Sequence, residues 1–279
     1  MTETSYTFQQ GEEHFQFGKN WSSFLATVGE SHILKAVESF KGMIGLESLA
    51  GLSFLDIGCG SGLSSLAAAR LSAKSIQAFD YDPICVAVTQ EMKSRFLFNP
   101  IDWQIEQGSA LDSEYIKSLG TYDVVYSWGV LHHTGNMYKA LENVIIPVKP
   151  GGILWIAIYN DQGLASQIWR WVKKTYNSLP SSLRFLIIIP AFIRLWVPRM
   201  VYDLLRGKPF STWNNYADSR GMSAWHDVID WIGGYPFEVA KPEEIFEFYF
   251  AKGFDLIKLK TCGGKLGCNE YIFRKRSFN

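Results

Sequence analysis

The chain has 279 residues, of which 47% are hydrophobic, and it carries 27 basic and 27 acidic residues. This length fits one elaborated domain or two small ones, with ample apolar residues for a packed core. A net charge of zero weighs against nucleic acid as a partner, because bulk attraction to phosphates needs a basic surface. The cysteines lack zinc-site spacing, and we predict no metal site. The polar N-terminus shows no signal peptide, so we expect a cytoplasmic protein.

The first chemical motif is a glycine-rich turn between a predicted strand and a predicted helix. The apolar run 52–57 indicates a short buried strand, and residues 63–71 follow with helical spacing. Between them, Gly58, Gly60 and Gly62 let the backbone turn sharply and approach a ligand closely. A tight turn alone would explain three alternate glycines. Strand, glycine turn and helix are also the start of a nucleotide-binding βαβ unit.

A second predicted strand, 75–79, ends in two nearby acids, Asp80 and Asp82. Asp80 follows Gly60 at about the distance at which a βαβ fold presents a carboxylate to ribose hydroxyls. Asp82 precedes Pro83, a pattern typical of the cap and first turn of a helix. We therefore interpret Asp80 as a ribose ligand and Asp82 as structural.

Both motifs resemble those of class I S-adenosylmethionine-dependent methyltransferases. The resemblance rests on Asp56-Ile-Gly-Cys-Gly-Ser-Gly62 and on Phe79-Asp-Tyr-Asp-Pro83. Hydride-transfer Rossmann enzymes usually have Gly-x-Gly-x-x-Gly instead. Later segments resemble the same family in order and spacing, namely Asp123-Val-Val, then Leu131-His-His, then Pro150-Gly-Gly-Ile-Leu.

The resemblance implies a fold of the α/β class, a Rossmann-like sheet of seven strands in the order 3-2-1-4-5-7-6 with strand 7 antiparallel. It implies S-adenosylmethionine as the cofactor. We expect an N-terminal lid segment and helix over 1–50 and a cofactor-binding core over 51–162. A helical, aromatic-rich cap over 163–242 would be inserted between strands 5 and 6. Residues 243–279 would add a helix and a hairpin that complete the core sheet.

The resemblance also implies a cofactor site on the predicted loop. Asp56 would anchor the loop and the methionine amino end, Gly58 and Gly60 would allow close approach, and Asp80 would bind the ribose hydroxyls. The full set of predicted cofactor residues is Asp56, Gly58, Gly60, Gly62, Asp80, Tyr81, Ser109, Ala110, Ser127, Trp128 and Trp21.

The adenine is expected at the end of the third predicted strand. Many relatives have an acid there, whereas this chain has Ser109, with Asp112 three residues later. We expect the backbone of Ala110 to bind the adenine and keep Ser109 and Asp112 as alternative side-chain ligands. Trp21 either covers the cofactor or packs on the core.

Candidate catalytic residues follow from what the acceptor needs. A base is required only if the acceptor loses a proton, as a hydroxyl does. His132 and His133 follow the fourth strand, and His133 is the favoured base, although either could cap a helix or face solvent. His226, beside an acid in the cap, is a second candidate. The predicted acceptor contacts are Tyr159, Asn160, Trp225, Asp227, Tyr235 and Glu238.

The cap contains a very apolar segment, 183–205, interrupted by three arginines and two prolines. Its longest charge-free run, 185–193, is far below the roughly 18 residues needed to cross a bilayer. We weigh a buried cap over the active site against an interfacial helix in peripheral contact with a membrane. The sequence makes no prediction of oligomeric state.

Aromatic side chains with a few polar groups in the cap suit a small molecule bound under a lid, and aromatic faces also stack on sugars. We therefore predict O-methylation of a small organic or lipid-like acceptor. N- or C-methylation, RNA methylation and a non-catalytic binding role on the same fold are the alternatives. Phe17-Gly-Lys-Asn-Trp21 and Gly233-Gly-Tyr-Pro-Phe-Glu238 are similar to a bacterial subgroup of the family, and this resemblance implies no particular substrate.

Overall fold

The computed structural model describes residues 17–216 and 224–277, apart from the side chains of Lys19, His226 and Asp230. This part of the chain forms a sheet of seven strands in the order β3-β2-β1-β4-β5-β7-β6. The first five strands pair in parallel, and β7 runs antiparallel to β5 and to β6. The predicted fold class and strand order are confirmed. The strands are β1 (Ser53–Ile57), β2 (Ser75–Asp80), β3 (Asp102–Gln107), β4 (Tyr122–Trp128), β5 (Val148–Tyr159), β6 (Phe254–Lys260) and β7 (Cys268–Lys275).

Helices cover both faces of the sheet, as buried parallel strands require. Side chains of α2, α3 and α4 pack in the core on one face, and those of α5, α6 and α11 in the core on the other. Within β1, Phe54 belongs to the first core and Leu55 and Ile57 to the second, because successive side chains of a strand point to opposite faces. The helices are α1 (Phe17–Leu25), α2 (Glu30–Ile44), α3 (Leu63–Arg70), α4 (Pro83–Phe96), α5 (Ser113–Ser118), α6 (Met137–Asn143), α7 (Leu164–Ser178), α8 (Phe185–Leu205), α9 (Ser211–Asn214), α10 (Ala224–Gly233) and α11 (Pro242–Ala251).

Between β5 and β6, the described residues include helices α7 to α10, which form a cap with a core of its own. Buried residues of this cap include Tyr176 on α7, Trp196 on α8 and Ile232 on α10. The indole of Trp196 packs edge-on against Trp213 and Tyr216, with ring centroids 4.7 and 5.1 Å apart. The cap therefore packs as a small aromatic cluster against the rim of the sheet.

The turn after β1 has room for glycine alone. Gly58 has a φ of 76°, and a Cβ there would lie 2.5 Å from the side chain of Val130. Gly62, which precedes α3, has the same φ, and its Cβ would lie 2.8 Å from the side chain of Thr89. Backbone conformation and packing both exclude a side chain at these two positions, so the sharp turn at the end of β1 depends on glycine.

Candidate active site

A cavity of about 560 Å³ lies where β1, β2 and β4 end, bounded by α1 on one side and by the cap on the other. Small-molecule sites commonly have volumes in this range. In open α/β sheets, ligands bind beyond the carboxyl ends of the strands. The cavity is therefore the candidate active site, and it has a loop end at the glycine turn and a cap end beneath α8 and α10.

Asp56 is a buried carboxylate at the loop end. It is among the cavity-lining residues, and its Oδ2 accepts a hydrogen bond of 2.6 Å from the hydroxyl of Ser65. Burial raises the pKa of Asp56 from 3.8 to about 7. Among the ion pairs of residues 17–216 and 224–277, none includes Asp56 or Asp80. A cationic ligand group would thus meet a carboxylate that has no competing cation.

Asp80 ends β2 and organises the loop around it. Its Oδ2 accepts from the backbone N–H of Gly60 and its Oδ1 from that of Asp82, each at 2.9 Å. Burial raises the pKa of Asp80 to about 6. A carboxylate has about four acceptor positions, so both oxygens can still accept from ligand hydroxyls. Asp82 accepts from the N–H of Ile84 and caps α4, which confirms its predicted structural role.

Helix α1 covers the loop end. The N–H of Gly18 donates to Oδ2 of Asp82 at 3.1 Å, which ties the helix to the loop. A Cβ on Gly60 would lie only 3.1 Å from Nε1 of Trp21. Trp21 lines the cavity and also packs against Phe24 of the core, with ring centroids 5.9 Å apart. The position of Trp21 is therefore compatible with both predicted roles, covering the cofactor and packing on the core.

The end of β3 supplies the remaining wall of the loop end. Ser109 and Ala110 line the cavity, whereas Asp112 does not. Asp112 instead caps α5, accepting 3.0 Å hydrogen bonds from the N–H groups of Glu114 and Tyr115. Of the two alternative side-chain ligands, Ser109 is the one that faces the cavity.

His133 lies between the two ends of the cavity, in a short 3-10 turn, Leu131–His133, that follows β4. Its Nδ1 is 2.7 Å from the carbonyl oxygen of Pro236. Because a carbonyl can only accept, we assign the hydrogen to Nδ1, and Nε2 is then the proton-accepting nitrogen of the neutral ring. The ring of Phe17 packs against His133 with centroids 5.1 Å apart.

His132 has a different environment from its neighbour. It is fully buried and does not line the cavity. Burial holds its pKa well below the ordinary 6.5, so the ring is neutral. Its centroid lies 3.9 Å from that of Tyr159. His132 therefore supports the wall behind the cavity, and His133 is the histidine that a ligand can reach.

The cap end combines aromatic walls with a few polar groups. The hydroxyl of Tyr216 donates to Oδ2 of Asp227 at 2.6 Å, and both residues line the cavity. The guanidinium of Arg199 lies 5.1 Å from the ring centroid of Trp196. The aromatic residues that line this end are Tyr159, Trp196, Tyr216, Trp231 and Tyr235.

Several predicted site residues lie in the described part of the chain but not at the cavity: Gly62, Ser127, His132, Asn160, Trp225 and Glu238. Ser127 donates to the carbonyl of Ile57, and Asn160 accepts from the amide of Asn269. Both oxygens of Glu238 accept from the N–H of Met137 at the start of α6. These polar groups hold the chain together at the rim. The side chain of His226 lies outside the described residues.

The remaining predicted residues all line the cavity: Asp56, Gly58, Gly60, Asp80, Tyr81, Ser109, Ala110, Trp128, Trp21, His133, Tyr159, Asp227 and Tyr235. Sequence reasoning missed Trp196, Arg199 and Tyr216. Trp196 and Arg199 are three residues apart on α8, and both line the cavity. A helical-spacing analysis of that segment could have identified this pair, whereas nothing local marks Tyr216.

The loop end fits the chemistry of S-adenosylmethionine. Asp56 would hold the cationic amino group, Asp80 the ribose hydroxyls, and Ser109 with Ala110 the adenine side. When bound, this cofactor supplies an electrophilic methyl group on a sulfonium. Within the described residues, no group of three or more His, Cys, Asp or Glu is placed to hold a metal ion.

Comparisons with known proteins agree with this geometry. The model of a methyltransferase domain family matches residues 30–187. The ubiquinone biosynthesis O-methyltransferase of Rickettsia akari (strain Hartford) is 29% identical over 157 residues, which are 56% of this chain and 52% of the relative. That of Methylobacterium sp. (strain 4-46) is 26% identical over 161 residues, 57% and 55% of the two chains. The chain thus spans about half the length of these curated relatives.

Among solved structures, magnesium protoporphyrin IX methyltransferase from Synechocystis PCC 6803 with bound SAH is similar, with a TM-score of 0.54 and 14% identity. The alignment covers 92% of this chain and 94% of that one, and at such identity it shows the fold alone. The family match, by contrast, extends over more than half of the sequence. On that match and on its sheet, the chain belongs to the class I S-adenosylmethionine-dependent methyltransferases.

Proposed function

We propose that this protein methylates a hydroxyl oxygen of a small organic or lipid-like acceptor, with His133 as the general base. The observation that carries the proposal is the orientation of His133, whose Nδ1 bonds to the carbonyl of Pro236 while the ring lines the cavity. In the neutral ring this bond places the hydrogen on Nδ1, so that Nε2 is the nitrogen that accepts a proton. A base is what a hydroxyl acceptor requires.

In the proposed step the acceptor oxygen would take the methyl group that S-adenosylmethionine supplies, and S-adenosylhomocysteine would be released. The hydroxyl proton would pass to Nε2 of His133. The protein contributes position and exclusion of water. Phe17 lies against the base, and Trp21 lies over the loop, so α1 shields the reacting atoms.

The cap end supports an acceptor that is largely apolar with a few polar groups. Aromatic faces of Trp196, Trp231 and Tyr235 give it flat apolar walls, and Arg199 and Asp227 can orient a polar substituent. The relatives described above are named O-methyltransferases of ubiquinone biosynthesis. That name supports an oxygen acceptor, with a quinone precursor as the first substrate to test.

The acceptor is identified by incubating the protein with methyl-labelled cofactor and a cell extract separated into lipid, small-molecule, protein and RNA fractions. Label on an oxygen of a lipid or small molecule is the expected result. Label on nitrogen or carbon would show that the methylated atom is not oxygen. Label in RNA or protein alone would contradict the proposal.

The base assignment is tested with His133→Gln and a series of acceptors whose hydroxyl pKa values differ. We expect turnover to fall by about 10²- to 10⁴-fold for weakly acidic hydroxyls. The loss should shrink for acceptors that are already ionised, because these need no base. Cofactor affinity, measured by calorimetry, should stay at the wild-type value.

The matched control is His32→Gln, which changes a histidine of α2 outside the cavity and should leave turnover intact. A deficit in His133→Gln that is equal for all acceptors would mean that the histidine has a structural role only. Wild-type turnover in this variant would remove His133 from the reaction.

A further inference from the structure

Helix α8 has two unlike faces. Its inner face carries the buried Trp196 and, with Leu195 and Arg199, lines the cavity. Its outer face exposes a continuous apolar strip, whose side chains are between 40% and 65% accessible to solvent. This strip consists of Leu186, Ile189, Ile193, Val197, Val201 and Leu204. Exposed apolar patches of this kind mark surfaces that contact another apolar phase.

The charge around this strip is strongly one-sided. Residues 164–216 carry eight basic residues, of which Lys173 is buried, and one acid, although the whole chain has no net charge. That acid, Asp203, is buried and accepts hydrogen bonds from the hydroxyl and the N–H of Thr212. Arg194 is exposed on the outer side of α8, and Arg206 and Lys208 are exposed just beyond its end. The surface of this segment is therefore basic, and it complements a negatively charged partner.

By length and composition alone, the segment Ser181–Leu205 could cross a bilayer, with a mean hydropathy of 1.6 over its most apolar window. Two features favour a helix that lies flat instead. Its charge-free run stops at Arg194, and its inner face is occupied by the core of the cap. An apolar strip flanked by arginines is typical of a helix at the level of lipid headgroups.

We propose that the outer face of α8 docks on a membrane surface that contains anionic phospholipid. The apolar strip would enter the headgroup region, and the basic residues of the cap would meet the lipid phosphates. Because the opposite face of the same helix forms a wall of the cavity, docking brings the cap end close to the bilayer. This proposal does not depend on the identity of the methyl acceptor.

The test is flotation of the full chain with vesicles of phosphatidylcholine, with and without phosphatidylglycerol. The chain should float with the anionic vesicles, and added salt should weaken this binding. Ile193→Glu should reduce partitioning by about 10- to 100-fold, because it removes a side chain that would be buried in lipid. Leu34→Glu, the same kind of change at an exposed position of α2, should have no effect.

The electrostatic part is tested with Arg194→Gln, which should weaken binding to anionic vesicles about fivefold. Lys74→Gln, an exposed lysine outside the cap, is its control. Absence of flotation, or flotation that Ile193→Glu leaves unchanged, would overturn the proposal. The proposal would also be overturned if light scattering showed that the wild type is a dimer which Ile193→Glu converts to a monomer, and if the wild type did not bind vesicles. Cofactor affinity and acceptor turnover, measured without vesicles, separate this outcome from failure of the methyl-transfer proposal.

Discussion

The two ends of the cavity are built in different ways. At the loop end, short consecutive segments meet through backbone hydrogen bonds, as when the N–H groups of Gly58 and Cys59 both donate to the carbonyl of Phe79. At the cap end, side chains from α8, α10 and the end of β5 meet through aromatic packing. Tyr159 and Trp231, for example, pack edge-on with centroids 5.4 Å apart. The structure of the loop end is therefore specified by short sequence segments. The structure of the cap end depends on side chains that meet only through tertiary packing.

The difference separates two kinds of functional residue. Residues at the loop end should govern cofactor affinity and the stability of the core together, because their side chains also hold the backbone. Residues at the cap end should govern the acceptor alone. The three predictions that follow test this division.

The largest effect is expected from Asp56→Asn. The pKa of Asp56 is raised from 3.8 to about 7, so the cofactor-free wild type loses stability as pH rises through this range. The cause is that the unfolded chain ionises first, while the buried group resists ionisation. Asparagine stays neutral, so at pH 8 the free energy of unfolding of the variant should exceed that of the wild type by up to about 4 kcal/mol. Its cofactor binding should be lost.

Urea titrations at several pH values measure this gain, and Asp123→Asn is a control with the opposite sign. Burial tends to raise the pKa of Asp123, but hydrogen bonds from Lys149 and Ser53 lower it to about 2. Its stabilisation is present above pH 4 and is lost as pH falls toward 2, so Asp123→Asn should be less stable at pH 8. An equal loss of stability at pH 8 in both variants would show that burial does not destabilise the ionised form of Asp56.

The second prediction concerns Asp80→Ala. Cofactor binding should weaken by about 1.5–3 kcal/mol, because hydrogen bonds from the ribose to a charged group are lost. The N–H groups of Gly60 and Asp82 also lose their acceptor, so the melting temperature should fall as well. Calorimetry with S-adenosylhomocysteine measures the affinity. In the control Asp112→Ala, which removes a helix cap outside the cavity, stability alone should change; unaltered affinity in Asp80→Ala would exclude a ribose contact.

The smallest effect is expected from Tyr216→Phe at the cap end. Loss of the hydrogen bond to Asp227 should raise the KM for the acceptor by a factor that corresponds to about 0.5–1.5 kcal/mol. Cofactor affinity should not change. Tyr202→Phe, at an exposed position of α8, is the matched control. A parallel loss of cofactor affinity in Tyr216→Phe would show that the two ends are not separable.

Local constraint explains what the sequence predicted. The glycine turn and the acid at the end of β2 follow from short motifs, because a sharp turn admits few residue types. The strand order was predicted from the family that these motifs resemble. Ser127 was assigned to the site because it lies at the end of β4, and Glu238 because it is a polar group of the aromatic cap. In the structure they satisfy backbone groups instead, which any buried polar side chain must do.

The cap end was harder to predict because its residues are neighbours only through tertiary packing. Arg199 lies in an apolar helix, and Tyr216 follows a short helix, with no motif around either. Aromatic content indicated that the cap would contribute walls, and of the rings at this end the predicted site residues included Tyr159 and Tyr235 but not Trp196 or Tyr216. His133 was found because it follows a strand of the core, which places it at the border of the two ends.

Helix α1 has a consequence for the order of events in a catalytic cycle. It is tied to the loop through Gly18 and Asp82, and its Trp21 and Phe17 lie over the glycine turn and His133. Cofactor bound at the loop end would lie beneath this helix, so its release after the reaction would require α1 to detach from the loop. If that detachment is the slowest step, the turnover number is set by a contact that takes no part in bond making. Substitutions in α1 would then raise the turnover number and lower the affinity for the cofactor.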